Sequence, residues 1–138
     1  MQYLLDSNVW IIYLKNASSP VEARLRITPA SEIAVCSVVW AELLHGARKY
    51  ERRQDRIARV ERTLAPYVSL PFDDAAARNY AQIRDELEVR GEVIGPNDLL
   101  IASIALTHAL TLVTNNREFR RVSGLAVEDW TVAIAADT

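Results

Sequence analysis

Three carboxylates stand where an apolar core is expected. Asp6 follows Tyr3-Leu4-Leu5 and precedes Val9-Trp10-Ile11-Ile12. Glu42 lies between Val38-Val39-Trp40-Ala41 and Leu43-Leu44, and Asp98 opens the run Leu99-Leu100-Ile101-Ala102. An isolated buried carboxylate is costly unless it is paired or coordinated. Taken singly, each acid is equally well explained as a helix cap or a first-turn anion favoured by the macrodipole. Gathered at one place, the three would repel and raise at least one pKa unless a cation neutralised them. Oxygen donors without a partner His or Cys favour Mg2+, with Mn2+ as a substitute, over zinc. Such an ion activates water and stabilises a displaced phosphoryl oxygen. A fourth contribution is expected after Leu110–Val113, where the chain reads Thr114-Asn115-Asn116-Arg117-Glu118-Phe119. There Asn116 offers a carbonyl oxygen, Glu118 a carboxylate and Thr114 a hydroxyl for substrate or water. By itself the segment reads equally as an Asn-rich turn into a short helix.

The elements that must position these residues alternate. Gln2–Leu5 predicts a buried strand opening into a helix over Ser7–Lys15. A turn-rich gap, Asn16–Pro20, precedes a short helix over Val21–Ile27. Ile33–Cys36 predicts a second strand, with Ser37 capping a helix through about Tyr50, and Arg52–Leu64 continues helically with Ile57, Val60 and Leu64 inward. Val68–Leu70 predicts a strand, Asp73 or Asp74 caps a helix ending near Gly91, and Pro96 and Asn97 start a helix over Asp98–His108. Leu110–Val113 and Ala126–Trp130 complete the strands. This alternation implies an α/β fold with a short parallel sheet of four or five strands flanked by helices. Sites in such folds lie beyond the carboxyl ends of the strands, near where strand order reverses. Asp6 ends the first strand, Glu42 lies near the start of the helix after the second, and Asp98 begins a buried helix. A doubly wound sheet brings all three to one rim.

The composition fits one soluble domain over residues 1–138. Apolar residues make up 50% of the chain and charged residues 25%, which excludes disorder. A chain of this length buries roughly 68–70% of its unfolded surface, enough for a core without staples. The single cysteine, Cys36, excludes an internal disulfide framework and a Cys-rich zinc site. No apolar run reaches the roughly 18–20 residues that span a bilayer. The opening segment lacks a basic region and carries Asp6, unlike a signal peptide, so a reducing cytoplasm is expected. No Gly-rich loop of dinucleotide or P-loop type is present.

Net charge is −2, yet seven of the sixteen Lys and Arg fall between positions 48 and 62. Arg48, Arg52, Arg56 and Arg59 on one face are candidate contacts to an RNA backbone. The competing reading is a solvated helix face with paired charges. Glu42 and His45 have the Glu-x-x-His spacing of di-iron bundles, but the strand–helix alternation contradicts a bundle. Trp10, Trp40 and Trp130 read as core or interface residues, and Cys36 as an inert buried thiol.

Together these segments resemble the PIN-domain ribonucleases, and among them the VapC-type toxins of bacterial toxin–antitoxin pairs. The resemblance rests on Leu-Leu-Asp6-Ser7-Asn8-Val, Val-Val-Trp-Ala-Glu42-Leu-Leu-His-Gly-Ala, Pro-Asn-Asp98-Leu-Leu-Ile-Ala and Leu-Val-Thr114-Asn115-Asn116-Arg-Glu118-Phe. It also takes in the ending Gly124-Leu-Ala-Val-Glu-Asp-Trp130. It implies a PIN-like three-layer α/β/α fold and a metal-dependent endoribonuclease that inhibits growth until a VapB-type antitoxin blocks it. It further implies a homodimer and a toxin–antitoxin hetero-oligomer. The family acids map onto Asp6, Glu42 and Asp98, with Asp6 and Asp98 as direct ligands of Mg2+. Many relatives carry Asp where this chain has Asn116, which leaves a second ion in doubt. Asn116 is expected nearer the ion, through its carbonyl oxygen or a bound water, with Glu118 in the outer shell. Apolar positions Val9, Ile12, Val21 and Leu25 are a candidate groove for an amphipathic antitoxin segment. The alternatives are a catalytically silent PIN-like module that holds RNA or protein, and a related DNA flap nuclease.

Overall fold

A computed structural model describes residues 1–16 and 18–133. Ala17, within the expected Asn16–Pro20 gap, and residues 134–138 of the expected domain lie outside the described residues. Short apolar segments form five strands, β1 (Tyr3–Leu5), β2 (Ile33–Cys36), β3 (Val68–Leu70), β4 (Thr111–Val113) and β5 (Val127–Glu128). All pair in parallel, in the order β3-β2-β1-β4-β5. Six α-helices flank the sheet among the described residues: α1 (Ser7–Lys15), α2 (Pro20–Ile27), α3 (Ser37–Ala47), α4 (Arg53–Leu64), α5 (Asp74–Val89) and α6 (Pro96–Thr107). Sheets covered on both faces need near-continuous apolar strands. Accordingly Leu4, Leu5, Val35, Leu112 and Val113 are fully buried.

The chain lays β1, β2 and β3 outward in one direction, then returns to place β4 on the other side of β1. The order therefore reverses between β1 and β4, where Leu5 is in register with Val113. Parallel sheets open a crevice at such a point, beyond the carboxyl ends of the two strands. The Asp6 amide donates to the Val113 carbonyl (2.9 Å) and the Thr114 amide to the Glu128 carbonyl (2.9 Å). The ladder thus continues to the residues that open the crevice.

Local signals set the helix ends, with several departures from expectation. Ser19 caps α2 ahead of Pro20, and Asp73, not Asp74, caps α5 by accepting from the Ala76 amide (2.9 Å). At α3, Ser37 is the first helical residue, and Cys36 takes the cap position without a side-chain bond. The helix ends at Ala47 rather than near Tyr50. There the Arg48 and Lys49 amides turn to the His45 and Gly46 carbonyls, the tighter three-residue spacing of a closing turn. Arg52 then takes a left-handed backbone (φ 60°, ψ 38°) and α4 leaves in a new direction. The last strand is shorter than Ala126–Trp130, because Trp130 turns inward against Tyr3, with ring centroids 5.0 Å apart. Val9 and Val21 are fully buried, and Ile12 and Leu25 pack against the core, so these positions do not form an open groove.

Left-handed backbone costs an L-residue with a side chain about 1–2 kcal/mol. Asn tolerates that conformation and is a favoured N-cap, which Arg is not. Arg52→Asn is expected to stabilise the fold by about 0.5–1.5 kcal/mol. The gain should appear as a higher urea midpoint at unchanged m-value. An unmoved midpoint would show that the α3–α4 connection carries no such strain.

Candidate active site

Each acid reaches the crevice from a different element. Asp6 ends β1, caps α1 and is 4% exposed. Its Oδ1 accepts from the Ser7 amide (2.8 Å) and its Oδ2 from the Thr114 hydroxyl (2.9 Å). The Ser7 hydroxyl donates to Glu42 Oε1 at 2.6 Å, drawing in a side chain from the second turn of α3. Thr114 Oγ1 accepts from the Asn116 amide (3.0 Å), and Asn116 Nδ2 donates to Asp98 Oδ2 (3.3 Å). Asp98 belongs to the first turn of α6, entered through Gly95 and Pro96. A Cβ built on Gly95 would lie 3.3 Å from Asp98 Oδ2, so the missing side chain leaves that carboxylate its room. An unbroken hydrogen-bonded chain thus runs Glu42, Ser7, Asp6, Thr114, Asn116, Asp98. Every link between two acids is a neutral donor.

The electrostatics follow from crowding. Burial raises the Asp6 carboxyl above its ordinary value, the Thr114 and Ser7 bonds oppose that rise, and the charge of Glu42 adds to it. Asp98 is pushed up to about 6, first by burial and then by the charges of Asp6, Glu42 and Glu118. Four carboxylates therefore share one field. The donor set is all oxygen, which suits a hard divalent cation and not zinc or a di-iron centre. Among the described residues no three His, Cys, Asp or Glu side chains already close around one point. Such spacing fits an open site, in which an ion such as Mg2+ keeps much of its water. Burial holds the Cys36 thiol up at about 11, so it stays protonated.

Asp6, Glu42, Asp98, Thr114, Asn116 and Glu118 are brought together, but Asn116 does not present itself as expected. Its carbonyl oxygen accepts from the Glu118 amide (3.0 Å), capping a 3-10 turn over Arg117–Arg121, and its NH2 faces Asp98. A carbonyl committed to a turn is not a ready ligand. Glu118, expected to act from farther out, lies near enough to raise Asp98. His45 and His108 are exposed, and no second Glu–His pair accompanies Glu42 and His45 among the described residues.

The basic stretch divides. A groove of about 260 Å3 leads from Glu42 between α1, α3 and α4, and Arg56 and Arg59 line it. Arg48 and Arg52 are exposed on the connection and do not line it. Lys15, Lys49 and Tyr50, not proposed from sequence as site residues, do, and the Arg56 guanidinium sits 5.1 Å from the centroid of the Tyr50 ring. Ser7 also joins the site without having been a candidate from sequence. Its signal was a hydroxyl residue directly following an acid at a strand end.

The model of the PIN domain family matches residues 3–125. The chain is 37% identical over 131 residues to the tRNA(fMet)-specific endonuclease VapC of Shigella flexneri, covering 94% of this chain and 98% of that one. Its structure resembles DNA-bound VapBC from Salmonella typhimurium (TM-score 0.89, 35% identity, covering 94% and 98% of the two chains). It also resembles VapBC2 from Rickettsia felis bound to a DNA fragment from their promoter (TM-score 0.87, 33% identity, 94% and 99%).

Raised carboxyls give the metal-free protein a signed pH dependence. The folded Asp98 pKa of about 6 exceeds the value of 3.8 from which it is raised, so the folded state binds more protons between the two. Stability from this group is present below about pH 4 and is lost as pH rises through about 6. Asp98→Asn cannot ionise. In EDTA its stability advantage over the wild type should be small near pH 4 and grow to a plateau by about pH 7, read by urea unfolding. A difference flat across that window would mean that Asp98 does not feel its neighbours.

Proposed function

The chain belongs to the PIN-domain family, and from that premise we propose that it is a VapC-type endoribonuclease toxin, one domain over residues 1–138, restrained by a cognate VapB-type antitoxin. One observation carries the reading: buried and half-buried acids from three elements joined at the β1/β4 crossover through neutral donors, with none of them in an ion pair among the described residues. Asp6 and Asp98, with Glu42, would hold Mg2+, and Mn2+ would substitute. When bound, such an ion supplies a nucleophilic water at neutral pH and charge stabilisation for the phosphoryl oxygens. The residues do the rest. Thr114 orients Asp6 by donating to Oδ2. Asn116 holds Asp98 from the opposite side, as a positioning residue and not as a carbonyl ligand. Glu118 adds charge at the rim. In the reaction a water oxygen bonds to phosphorus as the bond to the leaving sugar oxygen breaks.

The groove supports an RNA reading. Lys15, Lys49, Arg56 and Arg59 face one carboxylate, Glu42, an excess that suits phosphates leading away from the acids. Exposed Arg48 and Arg52 add to the same field without lining the groove. Its apolar floor, which includes Leu14, Leu43 and Val60, also suits a segment of the antitoxin, so partner and substrate compete for one path. The active species is a homodimer, joined by antitoxin into a hetero-oligomer. No helix among the described residues is long and apolar enough to cross a membrane. We place its action in the cytoplasm, with its RNA.

Two experiments test the reading. Asp6→Asn and Asp98→Asn should each abolish RNA cleavage without unfolding the protein, and EDTA should do the same until Mg2+ is restored. Cleavage at the native rate by either variant or in EDTA would end the metal mechanism. Reversing Arg56 and Arg59 to Glu should weaken RNA binding broadly and reduce the slope of log K against log salt by about two. The cut position should not move, because phosphate contacts orient without reading sequence. An unchanged slope would make the groove an ordinary solvated face.

A further inference from the structure

We propose that Ser7 is a positioning residue that sets where Glu42 stands in the acidic rim and fixes its distance from Asp6, an inference that rests on the nuclease reading above. Among the described residues five polar or charged side chains are buried, and Asp6, Ser7 and Thr114 are three of them. Ser7 is 7% exposed, and its hydroxyl has one proton to give, which goes to Glu42 Oε1 at 2.6 Å. That is the length of a charge-assisted O–H bond to a carboxylate, stronger than a neutral pair and partly buried here. No other donor among the described residues reaches the Glu42 carboxylate.

The bond matters because Glu42 has a longer, freer side chain than Asp6 or Asp98. It comes from α3, while Asp6 is fixed to the end of β1. A free glutamate side chain samples several rotamers, and confining it costs entropy. Lys15, Lys49, Arg56 and Arg59 line the same groove and would attract it away from Asp6. Ser7 resolves that competition. Its backbone N–H holds Asp6 Oδ1 while its hydroxyl holds Glu42, so the covalent frame of one residue spaces two carboxylates from two elements. Thr114 occupies Asp6 Oδ2 and thereby relieves Ser7 of that task. The second oxygen of Glu42 is left for an ion or a water.

The test is a double-mutant cycle with Ser7→Ala, Glu42→Ala and the pair, plus Ser7→Thr, which keeps the hydroxyl. In metal-free protein, Ser7→Ala should lower the folding equilibrium constant roughly tenfold when Glu42 is present and less than about twofold in Glu42→Ala. Mn2+ binding, read from the resonance signal of the free ion, should weaken about tenfold in Ser7→Ala. Ser7→Thr should recover both properties, and the double variant should bind Mn2+ like Glu42→Ala alone. An additive cycle, or Ser7→Ala binding Mn2+ as tightly as the wild type, overturns the role given to Ser7. A wild-type chain that binds no Mn2+ overturns the metal reading instead, and the metal-free cycle then decides by itself whether Ser7 holds Glu42.

Discussion

Repulsion among carboxylates gathered without ion-pair partners among the described residues is the constraint around which this structure is arranged. Nothing in a folded core tolerates several ionised acids side by side unless something answers each one. Here the answers are neutral: one serine, one threonine and one asparagine, each bonded to acids or to the segments that bear them. Cationic partners would satisfy the same oxygens more strongly, but they would occupy the place of any incoming ion and cancel the field that attracts it. Neutral donors hold position and leave charge. The raised carboxyl of Asp98 measures what this arrangement costs, and burial contributes to it before any neighbour does.

Topology supplies the meeting point and the helices supply the angle. The β1/β4 crossover opens the crevice, and the backbone ladder extends as far as Asp6 and Thr114 on its two sides. Glu42 and Asp98 arrive on α3 and α6, which pack against each other. Gly95 keeps a methyl group from crowding Asp98. Beyond the rim, the early end of α3 and the left-handed step at Arg52 let α4 diverge from α3, and the groove lies in the opening. The cationic lining is thus a product of where a helix stops as much as of which residues it contains.

The acids were legible in the sequence because a carboxylate within an apolar run contradicts its surroundings, and Asp6, Glu42 and Asp98 each do so. Strands and helices were legible for a similar reason: short apolar runs and 3.6-residue spacing are strong signals when they alternate. The neutral frame was harder to see. Ser, Thr and Asn are ordinary at helix starts and turns, so Ser7 looked like a first helical residue and nothing more. The orientation of the Asn116 amide depends on a 3-10 turn whose hydrogen bonds leave no trace in composition. Val9 and Val21 misled because helical spacing shows which face is apolar but not what covers it. The α3–α4 break hid behind residues that favour helix individually, since Arg48 to Arg52 contain no Pro or Gly.

The Thr114–Asp6 bond joins residues 108 positions apart. A ribosome releases Asp6 long before Thr114, Asn116 and Glu118, and no chain ending before β4 has the partner strand that opens the crevice. A growing polypeptide therefore carries its acids separately, on segments that have not yet met. In a protein read as destructive to RNA, the long separation has a use apart from folding. The machine that makes the chain has added more than a hundred residues beyond the first acid before the cutting edge exists.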